Sequence, residues 1–164
     1  MHRIAGYVLV FAILAGAQTP ARTSAQNLKT NLDYINGKIL AMAQDFPADK
    51  YNFKLKPEMR SFGEVIVHIA GGNIYAGKAG MGQDVKWDDQ EQDPKKFPDK
   101  ASIVAMFKKT VDEANAAIAK NPLGPKQNLQ PFLAVIQHSS EHYGLLVAYY
   151  RANGLVPPES RPKK

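Results

Sequence analysis

The chain has 164 residues, enough for one domain with a substantial core and too few for two. Apolar residues make up 45% and charged residues 22%, the balance of a globular domain and not of a disordered one. There is no cysteine, which excludes disulfides, thiolate ligands and a cysteine nucleophile, and the net charge of +6 is too small and too dispersed to indicate a nucleic acid partner.

The N-terminus reads as a targeting segment. Met1-His2-Arg3 is basic, residues 4–17 form an apolar run, and a polar stretch with small residues follows. That is the order of a secretory signal peptide. The run is shorter than the roughly 20 apolar residues that span a bilayer. Residues 1–25 are therefore expected to direct export and to be removed, leaving no stable membrane association. Cleavage fits after Ala17 or after Ala25; the second is preferred, because helical patterning begins just beyond it. Losing Arg3 and Arg22 lowers the net charge from +6 to +4. The mature protein is expected in the periplasm or the medium.

Four helices follow. In the first, 27–45, Leu28, Leu32, Ile35, Ile39, Met42 and Phe46 recur in steps of three and four, a one-sided apolar stripe. Pro57 is a good first-turn residue for the second, which runs to about residue 78 with Phe62, Val65, Ile69 and Ala76 inward. Gly71-Gly72 interrupts it and invites the close approach of another helix or a ligand. Residues 80–98 have no clear period. The third helix begins near residue 99 or 100, with Asp99 as N-cap and Ile103, Phe107, Ala114 and Ile118 as its stripe. Asn121-Pro-Leu-Gly-Pro125 breaks it. Pro131 opens the fourth, which carries Phe132, Val135, Ile136, Tyr143, Leu146, Val147 and Tyr150, and Gly154 caps it. The expectation is an all-α four-helix bundle over residues 26–160. A long crossover between helices 2 and 3 lets them run parallel, giving an up-down-down-up order.

Four histidines are present, and His2 leaves with the signal. His138 and His142 lie in His138-Ser-Ser-Glu141-His142, about 40° apart on a helical wheel, so both rings reach one point. His68 lies at the flank of the buried stripe of helix 2. Three imidazoles from two helices would hold a divalent ion and leave at least one position open for water or a substrate atom. The string also fits H-x-x-E-H, the inverted zinc-peptidase motif. Glu141, however, turns toward solvent on the wheel, and the only acid after His142 is Glu159, in a proline-rich tail. Glu64, one turn before His68, is in place to orient it or to face solvent. Asn73, Tyr143, Arg151 and the loop residue Trp87 are candidates for a pocket wall or for packing.

The segments Arg60-Ser-Phe-Gly-Glu-Val-Ile-Val-His68, His138-Ser-Ser-Glu-His-Tyr-Gly144 and Tyr150-Arg-Ala-Asn-Gly-Leu-Val-Pro-Pro158 resemble the DinB family, the DinB/YfiT-like metalloenzymes, over about residues 27–160. The resemblance implies an up-down-down-up bundle with a divalent metal on His68, His138 and His142. It also implies a homodimer, and a thiol-dependent transferase or a hydrolase. Thiol transfer depends on a cytoplasmic thiol, and this chain reads as exported.

Two functions follow. One is a metal-dependent hydrolase or transferase acting on a small molecule, with Zn²⁺ or Ni²⁺ as the favoured ions and entry where the 80–98 loop closes over the site. The other is a non-catalytic bundle with a structural metal, or one that holds a ligand or metal cargo.

Overall fold

The computed structural model describes residues 21–120 and 128–162. The apolar core of the expected signal peptide and the Asn121–Pro125 break lie outside the described residues. No helix among the described residues is long and apolar enough to cross a membrane.

The described fold is all-α: α1 (Ser24–Asp45), α2 (Phe62–Gly80), α3 (Lys100–Lys120) and α4 (Gln130–Ala152), joined by short 3-10 turns. Helices α1, α2 and α3 begin where the sequence supplies a side-chain cap. Thr23 and Gln26 form a reciprocal capping box that starts α1 at Ser24, three residues ahead of the apolar pattern. The cap and the first residues of α1 therefore fall inside the 1–25 segment.

Helix α2 starts at Phe62 and not at Pro57. Ser61 and Glu64 make a second capping box, whose Ser61 N–H donates to Glu64 at 2.6 Å. Proline merely tolerates a first turn, whereas this box satisfies two orphan N–H groups, so the box sets the boundary. Asp99 accepts from the Ser102 N–H at 2.8 Å and caps α3 as expected. Gly154, at φ +70°, ends α4 in a Schellman motif: Leu155 N–H reaches the Tyr150 carbonyl and Gly154 N–H the Arg151 carbonyl.

Helix α2 is the central element. It packs against α3 and α4, as α1 also does, while α1 and α2 touch little. Residues 81–99 form a strap lying along α2, so α2 buries most of its circumference instead of one stripe. At one end, Phe62 at the start of α2 stacks on Phe46, just past α1, at 3.8 Å, and lies 6.2 Å from Tyr150 near the end of α4. Tyr150 donates to the Met42 carbonyl at 2.8 Å. Truncating a ring as buried as Phe62 costs about 3–5 kcal/mol. At the other end Phe132, early in α4, clusters with Leu32, Ala76 and Ile118.

Between these two apolar clusters lies one buried polar residue from each helix: Asn36, Asn73, Thr110 and Ser139. Asn36 and Asn73 exchange amide hydrogen bonds at 3.1 and 3.4 Å.

Candidate metal centre

The i,i+4 spacing on α4 puts His138 and His142 one turn apart, with ring centroids 4.4 Å apart. Helix α2 packs against this face and brings His68 to 4.9 and 4.8 Å from them. One ligand atom from each of the three rings lies within 4.8 Å of the others, so the group could hold a metal ion. Nε2 of His68 and Nε2 of His138 are 3.0 Å apart. Two nitrogens about 2.0–2.1 Å from one zinc ion at a tetrahedral angle stand roughly 3.3 Å apart, so this pair needs a shift of only a few tenths of an ångström.

The electrostatics favour ligation. Burial, then the neighbouring His142 and His68, push His138 down to about 4. His142 is lowered as well, by burial first and then by His68 and Arg60. Both rings are therefore neutral at pH 7, with a lone pair available to a cation. Nδ1 of His138 and Nδ1 of His142 are buried without a hydrogen-bond partner. Two neutral imidazoles beside a third are a donor set that suits a borderline-soft divalent ion.

Two residues at the site carry no signal in sequence spacing. Glu91, on the strap, lies 2.7 and 3.0 Å from Nδ1 of His68. A carboxylate only accepts, so Nδ1 of His68 carries the proton and Nε2 keeps its lone pair. Arg60, one residue before the Ser61 cap, reaches the same carboxylate at 3.3 Å. Its backbone is held by the Tyr149 hydroxyl, which donates to the Arg60 carbonyl.

The strap also brings Trp87 to 4.9 Å from the His138 ring, on the bare backbone of Gly72. A Cβ at Gly72 would meet the Trp87 ring at 3.0 Å and Val135 at 2.9 Å. The close approach that Gly71-Gly72 invites is thus made by this chain's own strap and by α4. Tyr75 extends the aromatic wall, 4.9 Å from Trp87.

Other candidates go elsewhere. Glu64 is committed to the α2 cap and to Lys54 at 3.4 Å, and does not orient His68. Asn73 pairs with Asn36 in the core, and Tyr143 lies under the Lys38 ammonium at 4.6 Å. Glu141 and Arg151 are exposed. A groove of about 550 Å³ runs beside Glu91, lined by Lys54, Glu58, Met59, Arg60 and Asp93 among others. Comparison with models of protein families finds no match for this chain, and comparison with curated proteins finds no relative.

Proposed function

We propose that the chain is an exported, DinB-like metal-binding protein that uses His68, His138 and His142 to hold one divalent transition ion and acts as a hydrolase or transferase on a small molecule. The single observation that carries this reading is the convergence of three imidazoles from two helices, with one ligand atom each inside 4.8 Å. Zn²⁺ and Ni²⁺ are the favoured ions, because neutral imidazole suits both. A bound ion would supply a Lewis acid for a small substrate, and three protein ligands leave it room to do so. The chain's own residues do the rest: Glu91 and Arg60 fix His68, Trp87 walls one side, and the groove beside Arg60 gives a small polar substrate an approach.

The up-down-down-up order belongs to the same proposal. It is supported by Phe62 at the start of α2 meeting Tyr150 near the end of α4, by Phe132 meeting Leu32, and by Ile103 at the start of α3 standing next to Gly63 at the start of α2. Export after loss of the N-terminal segment and assembly as a homodimer complete it.

A second reading, a non-catalytic protein with a structural metal, draws on the carboxylates. Among the described residues, Glu91 is taken by His68 and Arg60, Glu64 by the α2 cap, and Glu141 faces solvent. None is free to serve as a general base at the three rings.

Elemental analysis of the purified protein tests the shared core of both readings. One transition ion per chain in the wild type, absent from His68→Ala, is the expected result. A wild type that takes up no transition ion when supplied with one overturns it. Turnover of small esters, amides or thiol adducts by the loaded protein then separates enzyme from binding protein.

A further inference from the structure

Of the three imidazoles, only His68 has its Nδ1 hydrogen-bonded among the described residues; the corresponding atoms of His138 and His142 have no partner. The partner comes from neither helix but from the strap, 23 residues along the chain. The strap is pinned to α2 just ahead of that contact. The Gln90 carbonyl lies over Gly71, where a Cβ would stand 3.0 Å from it. The Gln90 side chain accepts from Lys78 at 2.7 Å and donates to the Lys86 carbonyl at 3.3 Å. Trp87 is seated on Gly72. Glu91 is thus delivered to His68 by a segment that docks on two adjacent glycines.

We propose that Glu91 is a positioning residue for the metal site: its carboxylate holds His68 in the tautomer with Nε2 bare, and so ties docking of the strap to ion binding. This rests on the metal reading above. Arg60 reaches Oε1 of the same carboxylate and balances its charge. An imidazole free to change tautomer would spend part of its time presenting an N–H, and not a lone pair, to the ion. Linkage makes the effect reciprocal. Whatever the docked strap adds to ion affinity, the bound ion adds to strap docking.

The test uses the full chain with ¹⁵N-labelled histidine, and Zn²⁺ alone as the probe. Long-range ¹H–¹⁵N spectra of the metal-free protein should show His68 protonated at Nδ1. Glu91→Leu should lose that preference, while Glu91→Gln, whose amide oxygen still accepts, should keep it. Competition against a chelating dye should show Zn²⁺ affinity falling about 10- to 100-fold in Glu91→Leu and much less in Glu91→Gln. Gly71→Val lifts the strap without touching any ligand, and should weaken Zn²⁺ binding in the same direction while amide exchange in residues 87–91 accelerates. Far-UV circular dichroism establishes that each variant keeps its helices.

An unchanged His68 tautomer in folded Glu91→Leu, or unchanged Zn²⁺ affinity in both Glu91→Leu and Gly71→Val, overturns the proposal. A wild type that binds no Zn²⁺ sinks the metal reading and the coupling together. The tautomer spectra then still decide whether Glu91 holds His68.

Discussion

Nε2 of His138 stands 3.0 Å from Nε2 of His68, one nitrogen from each of two packed helices. Two such atoms in a half-buried site share one proton or one cation. Replacing His138 and His142 together by alanine leaves His68 alone, and a single imidazole does not retain an ion through purification. The double variant should lose its metal and all metal-dependent turnover while keeping its helical circular dichroism. Full activity in it would remove these rings from the chemistry.

Trp87 is the one tryptophan of the chain, and its ring lies 4.9 Å from His138. It is a built-in reporter. Titration with Ni²⁺ should quench its fluorescence with a one-site curve, and a chelator should restore it. At a free ion concentration about 100 times Kd, binding adds about 2.7 kcal/mol, so Tm should rise by about 5–10 °C in a domain of this size. No quenching at saturating Ni²⁺ would place the ion elsewhere.

The glycines of α2 and α4 should respond oppositely to alanine. At Gly72 the new methyl meets Val135 at 2.9 Å and the Trp87 ring at 3.0 Å, in a packed interior. Overpacking costs about 1–3 kcal/mol, and the helix-propensity gain of about 1 kcal/mol only partly offsets it. At Gly144 nothing lies within 4 Å, so the propensity gain stands alone. Urea midpoints should fall for Gly72→Ala and rise for Gly144→Ala.

Asp45 receives two hydrogen bonds from Arg161, at 2.8 and 2.6 Å, which tie the C-terminal segment to the end of α1. The Arg161 guanidinium holds the carboxyl below its ordinary value of 3.8, with help from the Tyr150 hydroxyl and against burial. A depressed folded-state value stabilises above 3.8 and is lost as the pH falls through the lowered one. Asp45→Asn should therefore lower the urea midpoint at pH 7 by a small amount, because both side chains are part-exposed, and the difference from wild type should shrink as the pH falls below 3.8.

The two cleavage points differ in what they do to α1. Cutting after Ala25 removes Thr23 and leaves the first N–H groups of the helix without their box; cutting after Ala17 keeps it. Losing such a cap costs about 1 kcal/mol. Within the export proposal the cap favours Ala17 over the Ala25 site preferred from the helical patterning, and the mature chain is expected to begin at Gln18, as intact mass would show. A start at Gln26 would mean that the free amino terminus takes over the end of the helix.

Helix number, the inward faces of α1 and α3 and the turn-apart histidines of α4 were legible because each follows from a period of three or four residues. His68 was legible only as a flank residue; its meeting with α4 is tertiary. Pro57 puts the expected start of α2 too early, because the Ser61-x-x-Glu64 box and not the proline sets the boundary. Tyr149 escaped the stripe of α4 because its neighbour Tyr150 already occupied it, yet its hydroxyl anchors Arg60. Glu91 could not be read at all. It sits in a segment with no period, and it matters only because Gly71 and Gly72 let that segment lie down on α2.

The amide pair of Asn36 and Asn73 has a consequence for assembly. If α1 slid one turn along its neighbours, about 5.4 Å, each amide would face aliphatic carbon instead of its mate. Two stranded amides in that interior cost about 1–3 kcal/mol apiece. Leucine and isoleucine tolerate such slippage, because one hydrocarbon contact replaces another. The asparagines act as an alignment mark that rejects mis-threaded arrangements of α1 against α2 as the chain folds.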